Sequence, residues 1–364
     1  MTKEEIAEAI QSLLSRCSIP YQKPPMDEPF LELCYNEARK RGYMAEGSEE
    51  LKPFILLGAT MSFTAFAHLD DTAVQVWMAL ITGAAIYCDD KFLQDTGFLD
   101  VFCERLLRGQ PQANRALNAF ANLIVETTKY FPPLTANMIM TSAMNFVNSI
   151  ILDNRTMGME VSAAADDYPL YTRIMSGLSE VYAITLFPTH LPVNIFIQAI
   201  PSMRISIVDV NDILSFYKEE LAGETVNHIS LWAKSRGCDK LQALYALIQQ
   251  TVEAHEKVVQ ILEKDPAALD AYYNFSSGYV QFHTEALPVC SQTESASILE
   301  GTLYSAVFGQ KPWVAQNLRP MSHTVPPDSL KMSHVPPRDP SPRSSSIAVS
   351  IQLRQLSVNA ELYL

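Results

Sequence analysis

The chain has 364 residues, 48% of them hydrophobic and 9% aromatic, enough to bury a large core in one or two domains. Its formal net charge of −13 argues against sequence-independent nucleic-acid binding, which needs basic patches, and suits a site that gathers a divalent cation. Its six cysteines include no Cys-x-x-Cys pair, which argues for reduced, mostly buried thiols and against a zinc module.

In chain order, residues 1–16 read as a short amphipathic helix and 18–28 as a Pro-rich connector. Helical patterns follow near 29–41, 51–68, 72–91, 112–130, 134–153, 168–185, 193–220, 224–235, 239–263 and 266–287. Pro132-Pro133 separates one pair, and Asp265-Pro266 places a proline at a first helical position. No segment alternates as a strand between hairpin turns. The fold expected is therefore all-α. Helices that are apolar nearly all round, at 54–66, 73–88 and 193–210, belong at the centre of a large bundle. Such a bundle can enclose an apolar ligand pocket.

The 17 uncharged residues Thr72–Cys88 are at the short limit for a membrane span and read better as a buried core helix, so no stable membrane insertion is expected. The polar start, Met1-Thr2-Lys3-Glu4-Glu5, lacks a signal-peptide apolar run, and a cytoplasmic location is the expectation. From Lys311 to Leu364 there are eight prolines, nine serines and no glycine, the composition of a disordered tail. The organisation expected is 1–28 helix and connector, 29–310 a helical domain, and 311–364 tail.

Three constellations carry chemistry. In Asn211-Asp212-Ile213-Leu214-Ser215-Phe216-Tyr217-Lys218-Glu219-Glu220, residues four apart differ by about 40° around a helix. Asn211, Ser215 and Glu219 therefore share a face, with Lys218 within about 20° of Asn211. Three hard oxygens suit Mg²⁺ and the ammonium suits a phosphate; the plain alternative is a solvated polar face. The second is Asp89-Asp90, at the end of the uncharged helix, where two carboxylates are costly unless a cation compensates them; otherwise they mark a solvent-exposed helix end. Asp95, about 120° from Asp89 on a helix, joins them only if the helix ends first. Asp70-Asp71 and Asp166-Asp167 lack following acidic positions and read as loop or helix-start residues. The third is Arg173-Ile174-Met175-Ser176-Gly177, a fork-shaped phosphate donor with a glycine one turn on; by itself it could equally be a salt-bridge residue. Phe63, Phe66, Trp77, Tyr87, Phe146, Phe187 and Tyr279 are candidate pocket liners or ordinary core.

The order and gaps of these three constellations resemble the class I terpene cyclases, and among them the fungal trichodiene synthase family. "VNDILSFYKEE" is near-verbatim for that family's N-D-x-x-S-x-x-K-E motif, and "IMSGL" after Arg173 and "SGYVQFH" at 277–283 also look like family segments. The resemblance spans roughly residues 30–300. It implies an all-α cyclase bundle around an apolar active-site pocket. It also implies Mg²⁺, three ions in all, held by Asp89 and Asp90 on one wall and by Asn211, Ser215 and Glu219 on the other. Arg173 would sense the substrate diphosphate, with Ser176 as linker and Gly177 as backbone-carbonyl effector, and Lys218 would contact a diphosphate oxygen. The substrate implied is farnesyl diphosphate and the product a sesquiterpene; a homodimer is compatible.

Two positions depart from the family pattern. Where it has a third acidic residue four positions after the first aspartate, this chain has Leu93. No Arg-Tyr pair follows His283, and the next arginine is Arg319. These departures motivate an alternative, a non-catalytic prenyl-diphosphate-binding protein on the same fold. A chain-elongating prenyltransferase is a further alternative, disfavoured because only one Asp-Asp precedes a plausible site.

Overall fold

A computed structural model describes residues 2–19, 27–44, 50–92, 95–160, 162, 164–165, 167–221 and 228–290. Leu93, the side chains of Lys218 and Glu219, and the expected tail at 311–364 lie outside the described residues.

Among the described residues the regular elements are all helices: α1 Lys3–Arg16, α2 Glu28–Lys40, α3 Lys52–Ala65, α4 Thr72–Lys91, α5 Phe102–Leu107, α6 Arg115–Tyr130 and α7 Pro133–Arg155. They continue as α8 Tyr168–Ser176, α9 Ser179–Thr185, α10 Val193–Phe196, α11 Ile200–Leu221, α12 His228–Arg236, α13 Lys240–Leu262 and α14 Pro266–Cys290. Their starts are set by local chemistry. Thr2 and Asp239 form capping boxes with Glu5 and Gln242. Asp71, Asn114 and Asp265 each accept a bond from a first-turn N–H, of Ala73, Leu117 and Ala268.

The bundle is organised around α3 and α4, which are apolar on every side. In α4, Val74 and all residues from Val76 to Asp89 are buried. This helix is long and apolar enough to cross a membrane, but other helices cover it, as expected of a core helix. Glycines set the closest approaches: a Cβ on Gly58 would lie 1.9 Å from the Ala79 carbonyl oxygen, and one on Gly278 2.0 Å from that of Thr64. So α3 meets α4 and α14 backbone to backbone. Helix α11 packs against α13, α9, α14 and α8.

The structure corrects several expected boundaries. The run 168–185 is two helices, broken where Gly177 ends α8 and Leu178 turns left-handed (φ 48°, ψ 18°). The apolar period continues across this break, so periodicity alone hides it. The run 193–220 is also two helices. Pro201 lacks the N–H that an interior position would use, and it stands at the second residue of α11, where none is needed. The short α5 has no sequence counterpart, because six residues are too few to show a period. The cysteines whose side chains are described, Cys17, Cys34, Cys88, Cys103 and Cys238, are free thiols.

Candidate active site

The C-terminal end of α4 carries Asp89, buried, and Asp90, half-buried, whose Oδ2 pairs with Lys91 Nζ at 3.5 Å. A helix C-terminus is the negative end of its dipole, so carboxylates there are unfavourable without a cation. The neighbouring Tyr87 hydroxyl donates to Glu50 Oε1 at 2.6 Å. Asp95 does not extend this pair. The helix ends at Lys91, and Asp95 is exposed, with its Oδ1 accepting the Gly97 N–H.

The centre of the site is Arg173, near the end of α8 and 7% exposed. Its Nε donates to Asp212 Oδ1 at 2.9 Å and to Oδ2 at 3.3 Å. Its Nη2 donates at 2.7 Å both to Asp212 Oδ1 and to Asn211 Oδ1, and Nη1 lies 3.5 Å from Ser176 Oγ. The guanidinium thus joins α8 to the polar face of α11. Gly177 permits this closeness: a Cβ there would come within 2.8 Å of Val208 Cγ1 and 3.2 Å of Arg173 Nη1.

On α11, Asn211, Asp212 and Ser215 are all buried. The polar stripe is therefore not a solvated helix face, and the buried charge is compensated internally. Asp212 was not among the expected ligands; it lies in the motif but on the stripe beside Asn211, Ser215 and Glu219. Its second neighbour is His228 at the start of α12, with Nε2 4.0 Å from Asp212 Oδ2. Burial lowers the His228 pKa, opposed by the Asp212 charge. One turn earlier, Asp209 faces α13 and accepts a bond from Gln250 Nε2 at 2.9 Å. Burial raises its pKa well above the usual carboxylate range, opposed by the bond from Gln250, and the pair clips α11 to α13.

An aromatic layer adjoins this polar cluster. Phe66 packs on Tyr182 and Phe275, and Tyr279 stacks on Phe275 and meets Tyr182, Phe282 and His283. The Tyr279 hydroxyl bonds with Asn211, and burial pushes its pKa upward; burial pushes Tyr182 up to about 12. Both rings are therefore neutral phenols over the physiological range. Of the candidate liners, Phe66 and Tyr279 belong to this layer. Trp77 packs on Tyr130 and Phe131 with its Nε1 donating to Leu123 O, and Phe146 packs on Phe120; both are structural core. Phe187 stacks on Phe196, and Tyr87 sits edge-on to Phe54.

Among the described residues no three His, Cys, Asp or Glu side chains converge as a metal cluster. The donor set nevertheless fits Mg²⁺. It consists of hard oxygens, an amide and a hydroxyl on α11 and two carboxylates on α4. The Asn211 oxygen already receives a cation, the Arg173 guanidinium.

The "trichodiene synthase (TRI5)" family model matches residues 59–289, a span holding α4, Arg173, the α11 motif and the aromatic layer. The chain belongs to the trichodiene synthase family. Family relatives include alpha-cuprenene synthase COP6 of Coprinopsis cinerea, 35% identical over 286 residues, covering 78% of this chain and 88% of that one. Terpene synthase BipA of Cochliobolus sativus is 34% identical over 288 residues, 77% of this chain and 87% of that protein. The fold is that of solved terpene synthases. The linalool/nerolidol synthase from Streptomyces clavuligerus aligns with a TM-score of 0.56 at 13% identity, over 73% of this chain and 98% of that one. Hedycaryol synthase in complex with nerolidol aligns at 0.54 and 15% identity, over 72% and 94%. Family membership makes the chain a terpene synthase with a prenyl diphosphate substrate, and the expected all-α cyclase bundle is borne out.

Proposed function

We propose that this protein is a Mg²⁺-dependent sesquiterpene synthase that ionises farnesyl diphosphate, cyclises the allylic cation and releases diphosphate. The observation that carries this reading is Arg173, a buried guanidinium seated on Asn211 and Asp212 beside the Phe66–Tyr182–Phe275–Tyr279 layer. A permanent cation among hard oxygens, joined to an aromatic cluster through Asn211 and the Tyr279 hydroxyl, suits a reaction that draws an anion away from a carbocation.

In this reading Asp89 and Asp90 hold metal from α4, and Asn211, Ser215 and Glu219 hold it from α11. Bound Mg²⁺ supplies the charge that lets the diphosphate depart. Arg173 and Lys218 would bind diphosphate oxygens, Ser176 would link Arg173 to the helix break, and Gly177 would act through its backbone carbonyl. The aromatic layer keeps water from the cation and stabilises it through its ring faces.

The test is diphosphate release from geranyl, farnesyl and geranylgeranyl diphosphates with Mg²⁺, with a chelated control. Release that is fastest from the farnesyl substrate and abolished by chelation is the expected result. Release from none of the three overturns the proposal. Tight binding with unchanged substrate recovered would favour instead the non-catalytic binding protein that Leu93 and the absent Arg-Tyr pair allow.

A further inference from the structure

We propose that Asp212 is a positioning residue: with Asn211 it parks Arg173 on the metal-binding helix in the resting enzyme, and the diphosphate takes Arg173 by displacing a carboxylate. This rests on the diphosphate-ionising reading above and concerns a residue that the metal-binding face leaves out.

Three observations lead to it. The first is geometric. Asp212 holds Arg173 by its Nε/Nη2 edge, with contacts of 2.9 Å and 2.7 Å to a single carboxylate oxygen. This edge is one a guanidinium uses to grip an oxyanion in two-pronged fashion, so a diphosphate that takes the same edge competes directly with Asp212.

The second concerns Asn211. Its Oδ1 is the oxygen a metal would take, and it lies 2.7 Å from Arg173 Nη2. A divalent ion at that oxygen and a guanidinium at hydrogen-bond distance from it repel each other. Loading a metal at Asn211 and releasing Arg173 are therefore one event.

The third is electrostatic. Asp212 is fully buried and Arg173 nearly so, and a buried charge that loses its partner without replacement is strongly disfavoured. Exchanging one anion for another on Arg173 avoids that state. The metal arriving at the adjacent Asn211, and His228 at 4.0 Å, remain beside the Asp212 carboxylate after Arg173 departs.

The test is calorimetric titration of inorganic diphosphate in the presence of Mg²⁺, on the wild-type full chain and on Asp212→Asn. Removing the competing anion tightens diphosphate binding by about tenfold, while kcat with farnesyl diphosphate falls because Arg173 no longer starts from a fixed pose. In an Arg173→Met background the same Asp212→Asn change leaves diphosphate affinity unaltered. A residue that only supports the fold would weaken binding, so equal or weaker binding in Asp212→Asn overturns the proposal, as does an equal tightening without Arg173.

Should Asp212→Asn fail to fold, the wild type supplies a second readout, the side-chain Nε–H resonance of Arg173. It is slow to exchange in the resting enzyme and shifts when Mg²⁺ and diphosphate are added together; a resonance that does not move overturns the proposal. Absence of any diphosphate binding to the wild type would overturn the functional reading, and this proposal with it.

Discussion

Replacing Gly278 with alanine tests how the pocket wall is held. A Cβ at this position would lie 2.0 Å from Thr64 O, 2.4 Å from Thr64 C and 2.6 Å from Ala65 Cα. Every clashing atom is main chain, so no side chain can rotate to make room. Ordinary contact lies near 3.5 Å, so α3 and α14 must separate by roughly 1–1.5 Å. On its other side α3 is fixed by the same device, since a Cβ on Gly83 would be 2.7 Å from Phe54 O. The helix that moves is therefore α14, and it carries Phe275, Tyr279 and Phe282 with it. With backbone on both sides the cost falls at the upper end for overpacking, about 3 kcal/mol. For a domain of this size that lowers Tm by about 6–12 °C. Misplacing the aromatic wall by roughly 1 Å lowers kcat by about 100-fold. Melting followed by circular dichroism, with turnover measured well below the variant's Tm, gives both numbers. A Tm within about 2 °C of wild type together with unchanged turnover would refute the close approach and its role.

Other substitutions separate chemistry from packing. Asn211→Ala is expected to lower kcat by at least about 100-fold, the cost of losing one positioned electrostatic group, with the far-ultraviolet spectrum unchanged. Trp77→Ala is expected to cost about 3–5 kcal/mol of stability yet leave the product distribution intact, since Trp77 packs on Tyr130 and Phe131 away from the Asn211 cluster; product identity by chromatography checks this. Burial lowers the pKa of His68 below 6.5, so near that pH the unfolded chain takes up a proton that the folded one does not. The stability from His68 is complete above pH 6.5 and is lost as the pH falls below it. His68→Gln keeps a donor for Leu186 O, 2.8 Å from Nε2 in the wild type, and removes that proton. The wild-type Tm should therefore drop more than that of His68→Gln between pH 7.5 and pH 5.5, by parallel melting scans.

Much of the site was legible because helical spacing is rigid. Asn211 and Ser215 share a face by arithmetic alone, whereas the apolar run before Asp89-Asp90 left open whether the pair was buried or exposed, and the structure buries Asp89 and half-buries Asp90. What escaped depended on contacts between distant helices. Asp212 sits within the motif, but its partner Arg173 is 39 positions away, and no periodicity points from one to the other. The break at Leu178 was hidden because it is a single left-handed residue inside a continuous apolar pattern, with only Gly177 to mark it. Trp77 and Phe146 are chemically as fit for a pocket as Phe66 and Tyr279; which side of α4 or α7 faces the site is decided by tertiary packing. Gly278 lay in a segment with the look of the family, but its reason, the Thr64 carbonyl against its Cα, is visible only in three dimensions.

The measurement that tests the central claim most directly is chromatographic and mass-spectrometric identification of what the protein makes from farnesyl diphosphate and Mg²⁺. The account predicts a cyclic fifteen-carbon terpene, formed with one diphosphate per turnover and absent when the metal is chelated or Arg173 is replaced by methionine. Unreacted substrate, or linear products formed equally well without Arg173, would contradict it.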